Sequence, residues 1–305
     1  MIHKTLDERM KEFALYHRDG DGECNAILLK AYADAHGLTA GERFDLAYFF
    51  SIVYCCESGI ILFLNREDIK KDPESTAEKL KPKIIFQSDR KYMRMRECFV
   101  KALRFWARSN LEEQVGKFIN NGVLMLENAT RCVQRWYMFG RFSAYLFLET
   151  YATLLDVPVT EMSIDWKNGD TATSGLLNLF GHDKAADEFD KTGRLFLSAD
   201  RLDTYLAEVK KNVSVIGGDT NTTKLETSLC AYRKFYKASR YNGFYLDRML
   251  SELVWYKRLP EFSETTSELF SLRRALFPDE LLGEKHGWEG VRTEAKKLYR
   301  EYGII

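Results

Sequence analysis

The chain has 305 residues, 45% hydrophobic and 30% charged, with only five prolines. This is the make-up of a core-forming globular protein and excludes a largely disordered one. Lys plus Arg and Asp plus Glu both total 45, so zero net charge gives nucleic acid no global attraction and leaves that task to local patches.

The predicted elements are almost all helical. Phe13, Leu15 and Tyr16 close a first amphipathic segment, which His17-Arg18-Asp19-Gly20-Asp21-Gly22 ends with turn chemistry. A second helix is expected from Asn25 to about His36, stopped by Gly37. Thr39 with Glu42 three residues on forms a capping box opening the apolar run from Leu46 to Leu64. Glu57, Ser58 and Gly59 interrupt that run, which therefore predicts a buried helix or helical hairpin and no membrane span. After loops at Asn65 and Asp72-Pro73, a long basic helix is expected from Asp89 to about Ser109. Further helices are expected at 111–120, 123–138, 141–155, 198–211, 221–238, 243–257 and 287–302. Only Val213-Ser214-Val215-Ile216 and Lys83-Ile84-Ile85-Phe86 look β-like. The fold class is mainly α, a multi-helix globular bundle, with an N-terminal lobe over 1–110 and a helical core over 111–305. Asp165–Thr173 and Gly217-Gly218 are the expected hinges.

Six cysteines stand at 24, 55, 56, 98, 132 and 230, none in a CxxC pair. They suit reduced, mostly buried thiols and a cytoplasmic setting. The charged, amphipathic start MIHKTLDERMKEF is unlike a signal peptide.

Two runs mix basic and aromatic side chains. From Lys81 to Arg108 nine Lys or Arg oppose only Asp89 and Glu97, with Tyr92, Phe99, Phe105 and Trp106 among them. Arg90, Arg94, Lys101 and Arg104 can share one helical face. From Tyr232 to Arg248 only Asp247 opposes Arg233, Lys234, Lys237, Arg240 and Arg248. Such runs can neutralise phosphates and stack on an unpaired base, or they can be solvated helices whose aromatics are core. Two acids stand out. Glu149 is the only acid in RFSAYLFLETYATLL (141–155), on one stripe with Arg141 and Tyr145, and suits either a catalytic base or an ion pair with Arg131 or Arg135. Tyr245, Arg248 and Glu252 share a polar stripe, an active-site wall or an ordinary surface pair. GxxxxGK[ST], GxGxxG, GxSxG and HExxH motifs are absent, and no histidine pairs with a cysteine at metal spacing, so metal-dependent base deamination is disfavoured and no metal ligand is assigned. Cys132 and Cys230 are the candidates for a lone thiol nucleophile, beside the blander reading as structural thiols.

The strings FQSDRKYMR (86–94), FGRFSAYLFLE (139–149), SGLLNLFG (174–181) and YNGFYLDRMLSELVWY (241–256) resemble the bacteriophage amino acid:DNA transferases, also called α-glutamyl/putrescinyl thymidine pyrophosphorylases. The resemblance spans roughly 40 to 260. It implies an all-helical fold distantly like helical DNA glycosylases, although an LPGVG-type hairpin is missing here. It also implies a reaction on DNA containing a modified pyrimidine. An amine of an amino acid or polyamine displaces pyrophosphate from the exocyclic methylene of 5-pyrophosphoryloxymethyluracil, and no membrane takes part. For that chemistry Glu149, Asp89, Asp247 and Glu252 are candidate bases. Arg90, Lys91, Arg94, Arg141, Arg248 and Lys234 are candidates for phosphate, and Tyr92, Trp136, Tyr241 and Tyr245 for stacking on an extruded base. Mg2+ is the one cofactor the pyrophosphate would bring, and the setting would be host-cell cytoplasm. The contrasting readings are a non-catalytic helical DNA-binding protein and a helical scaffold with no nucleic-acid role.

Overall fold

Thr39 sets the entry to the buried helical hairpin as its sequence predicts. Its side chain accepts from the Glu42 amide, and the Glu42 carboxylate accepts from the Thr39 amide. The computed structural model describes residues 4–18, 23–87, 93–167, 170–192, 195–236 and 243–277, and every structural statement below concerns them. They form sixteen α-helices and one two-stranded hairpin, a mainly α fold. No described helix is long and apolar enough to cross a membrane. The helix expected at 287–302 lies outside the described residues.

The chain gathers into two units, one built on Met1–Cys24 and Glu161–Asp247, the other on Asn25–Thr160 and Arg248–Pro278. The division expected near residue 110 thus falls inside the second unit, because α3 packs on α10 across it.

In the first unit, α1 (Leu6–Arg18), α11 (Asp170–Leu179), α12 (Asp183–Thr192), α13 (Ala199–Val215) and α14 (Thr222–Tyr236) surround a core that includes Phe13, Leu176, Leu202, Val209, Leu225, Leu229 and Tyr232. A Cβ on Gly175 would lie 2.0 Å from the Leu229 carbonyl oxygen, so only glycine allows α11 this close to α14. His17 ties α1 into the unit. Its Nε2 donates to the Asp219 carbonyl oxygen at 2.7 Å, and its Nδ1 lies 2.7 Å from the Ser228 hydroxyl.

The second unit begins with α2 (Cys24–Ala35) and the hairpin of α3 (Ala40–Val53) and α4 (Cys56–Leu64). The turn between them uses a left-handed Tyr54 (φ 54°) and an extended Cys55. Gly59 permits the close approach, since a Cβ there would meet Phe50 Cα at 2.9 Å. Next come α5 (Arg66–Lys71), α6 (Pro73–Leu80), α7 (Met93–Arg108), α8 (Leu111–Gly116), α9 (Leu126–Val133) and α10 (Arg141–Leu155). The core of α3 and α10 is aromatic: Phe44, Tyr48, Trp136, Phe139, Phe147 and Tyr151 pack at ring spacings of 5.2 to 6.3 Å. Helix α15 (Phe244–Tyr256) carries the boundary between units, and α16 (Ser263–Leu276) completes the second.

Three expectations need correction. The run 111–138 is not two uninterrupted helices, because Ile119–Asn120 (β1) pairs antiparallel with Val123–Leu124 (β2). Asn121 and Gly122 both have positive φ, the two-residue turn that Asn-Gly favours. Val213–Val215 is the end of α13, and Lys83–Phe86 pairs with no strand. Helix α10, whose sequence reads as apolar on every side and hence as a buried central helix, instead exposes Phe142 and leaves Arg141, Tyr145 and Glu149 half-buried.

Thr39→Ala is expected to cost about 1 kcal/mol, the usual loss of an N-cap, read as a lowered urea midpoint at unchanged slope.

Candidate functional site

Within the second unit, the residues that appeared to interrupt an apolar run form a buried polar centre. Cys55 is the N-cap of α4, and Glu57 and Ser58 lie in its first turn. Glu57 is only 1% exposed. One of its carboxyl oxygens, Oε1, accepts from the Thr266 hydroxyl of α16; the other, Oε2, is buried with no hydrogen-bond partner. No cation among the described residues is positioned to favour its ionised form. Burial therefore pushes its pKa up to about 9, with the Glu252 charge adding to the rise and the Thr266 hydroxyl opposing it.

Helix α15 supplies Arg248, Glu252 and Tyr256 at successive four-residue steps, and hence on one face. Arg248 Nε lies 3.5 Å from Glu252 Oε1, and its guanidinium sits 4.8 Å above the centre of the Tyr54 ring. Glu252 is 6% exposed and also accepts from the Gln87 side-chain amide. The Tyr256 hydroxyl is 2.6 Å from the Ser58 hydroxyl and donates to the Lys83 carbonyl, while the Ile85 amide donates to Ser58 Oγ. The Gln87 amide donates to the Val53 carbonyl. Residues 84–87 are thereby fastened between α4 and α15, immediately before Asp89–Tyr92. Burial raises the Cys55 thiol well above its ordinary range, with Glu252 adding to the effect, so it is no ready thiolate.

The Glu57 shift gives a signed prediction. The folded chain holds this proton to about pH 9, whereas an unfolded glutamic acid releases it near 4.5. The associated stability is fully present below about pH 4.5 and is lost as pH rises towards 9. The urea midpoint of the wild type should fall across this window more steeply than that of Glu57→Gln; parallel profiles would contradict the assignment.

The other candidates are distributed as follows. Of the four acids, Glu252 joins the centre, while Glu149 is half-buried on α10 with Oε1 shielded from solvent, and Asp247 is buried on α15 in the first unit. Arg131 is exposed and paired with Glu127, and Arg135 is exposed too, so neither is a buried counter-ion for Glu149. Asp89, Arg90, Lys91, Tyr92 and Tyr241 lie outside the described residues, as does the side chain of Arg94. Arg141 and Lys234 are half-buried, the first on α10 and the second on α14. Trp136 and Tyr245 are corrections. Trp136 is 4% exposed, donates from Nε1 to Gln114 and fills the aromatic core; Tyr245 is 2% exposed. Both rings are buried in packing. In the first basic run Phe99 and Trp106 are likewise core, Lys83 pairs with Glu261 at 2.7 Å and Arg104 with Glu74. Cys132 and Cys230 are half-buried. No group of three or more His, Cys, Asp or Glu among the described residues could hold a metal ion.

Sequence reasoning missed Glu57, Gln87 and Tyr256. The signal was an acid inside an otherwise apolar run, in the position where a helix begins.

A nearly all-helical chain with buried acids, a guanidinium and linked hydroxyls is equipped to hold an anion and move a proton. The chain belongs to the amino acid:DNA transferase family, whose model matches residues 37–241, from α3 through α14. It is thus a transferase whose substrates are DNA and an amino acid. No curated protein and no solved structure matches it significantly.

Proposed function

We propose that the protein hypermodifies a thymine-type base in bacteriophage DNA, replacing the pyrophosphate of 5-pyrophosphoryloxymethyluracil by the amine of an amino acid or polyamine. The observation that carries this reading is the family match over two-thirds of the chain, residues 37–241 of 305. The amine nitrogen's lone pair forms the new C–N bond at the exocyclic methylene. The C–O bond to pyrophosphate breaks with its electron pair leaving on oxygen, and the ammonium proton passes to a carboxylate.

Glu252 is the preferred base over Glu149, Asp247 and Asp89, because it is buried, held by Gln87 and set beside a guanidinium. Arg248 meets the charge that develops on the leaving oxygen. Arg90, Lys91, Arg94, Arg141 and Lys234 hold the DNA and pyrophosphate anions, and Tyr92 and Tyr241 stack on a base extruded from the duplex. Mg2+ would arrive with the pyrophosphate as part of the substrate.

The test is incubation with DNA carrying the pyrophosphorylated base and pooled amino acids and polyamines, followed by mass spectrometry of the nucleosides. A nucleoside carrying the amine is expected. Salt-sensitive DNA binding with no adduct would instead support a non-catalytic DNA-binding protein.

A further inference from the structure

Among the described residues, the polar centre holds two acids, Glu57 and Glu252, and one guanidinium, that of Arg248. Arg248 lies against Glu252, and no described cation answers Glu57. Around Glu57, α4 contributes its own first turn and the Cys55 thiol, α15 contributes Glu252 and Tyr256, and α16 contributes the Thr266 hydroxyl. Arg273 lies on the same face of α16 as Thr266, two turns on. With Glu57 protonated, Arg248 and Glu252 balance in charge, and what the centre lacks is one hydrogen bond at Glu57 Oε2.

Once ionised, Glu57 adds a negative charge that Arg248 does not match, and this repels an incoming phosphate and favours a cation with several N–H donors. A primary ammonium has three such donors and a single compact charge. The N-terminus of α4 stabilises negative charge on Glu57 once a counter-ion is present.

We infer that Glu57 and Glu252 form the seat for the donor's ammonium group, with Glu57 giving its proton to solvent as the ammonium arrives and Oε2 accepting one of its N–H bonds. This deepens, and rests on, the transferase reading above. It divides the centre by charge: the acid pair takes the amine, while Arg248 faces the leaving anion. Glu57 thereby acts as a specificity-determining residue for a protonated amine.

The test is titration calorimetry of the full chain with glycine, L-glutamate and 1,4-diaminobutane at neutral pH, in buffers of different ionisation heat. At least one ligand should bind with release of close to one proton. Glu57→Gln should abolish the release and weaken binding by about tenfold to a hundredfold, as for loss of a buried charge-assisted hydrogen bond. Infrared difference spectra of the wild type give a second readout that does not depend on that variant folding. The carbonyl band of a protonated carboxyl should disappear on ligand addition. Absence of binding by all three ligands, binding without proton release, or an unchanged carboxyl band would each overturn the inference. The transferase reading fails separately: amine binding with proton release but no adduct on DNA would sink it and leave the seat intact. An adduct formed by Glu57→Gln with unaltered amine KM would sink the seat alone.

Discussion

Glu252→Gln should lower transfer by about 10²- to 10⁴-fold, the range lost when a positioned proton acceptor is removed. The amide keeps the shape of the side chain and an oxygen able to accept from Gln87, so the cluster is still filled. What it removes is the charge beside Arg248 and the ability to take a proton. The expected pattern is a fall in kcat with far-ultraviolet circular dichroism unchanged. Arg248→Ala is the harsher change. It strips the guanidinium from both Glu252 and the Tyr54 ring, leaving a carboxylate buried with its counter-ion gone. Breaking a buried pair in this way costs about 3–5 kcal/mol, so lost activity should there be accompanied by a lower Tm. Full activity in a folded Glu252→Gln would remove Glu252 from the chemistry and return the role to Glu149, Asp247 or Asp89.

Gly175→Ala should be the most damaging single methyl in the first unit. Its Cβ would stand 2.0 Å from the Leu229 carbonyl oxygen and 2.8 Å from the carbonyl carbon, and both are backbone atoms that cannot rotate away. The helices α11 and α14 must part, which loosens Leu176, Leu225 and Leu229 together. Overpacking of this kind costs about 3 kcal/mol at the upper end of its usual range. In a chain this long that is a Tm loss of roughly 5 °C. Thermal unfolding followed by circular dichroism would measure it, and an unchanged Tm would mean the crossing is wider than described.

Much of the helical frame was legible from periodicity and caps. The Thr39–Glu42 box is formed, and α10 has the bounds that its sequence predicts. Local signals failed where two readings of the same letters compete. Asn121-Gly122 carries a hairpin turn that a helix-dominated chain masked, and α16 went unpredicted because the polar residues of SETTSELFSLRRAL dilute its apolar stripe. The site was half legible. Arg248 and Glu252 stand four apart on one helix, so their pairing follows from spacing alone. Glu57 meets Thr266 across 209 residues and Gln87 meets Glu252 across 165, contacts that no local pattern encodes. Trp136 shows the opposite error. An aromatic near basic residues suggests stacking on a base, yet apolar area of that size is more often drawn into a core.

Coupled displacement at the exocyclic methylene, the reaction proposed above, is tested most directly by one measurement. Pyrophosphate released and amine incorporated should be quantified together in a single reaction on DNA carrying the pyrophosphorylated base. Equimolar amounts are predicted for the wild type, and only traces of either for Glu252→Gln. Pyrophosphate released without amine gained, or amine gained on DNA that never carried the ester, would contradict it.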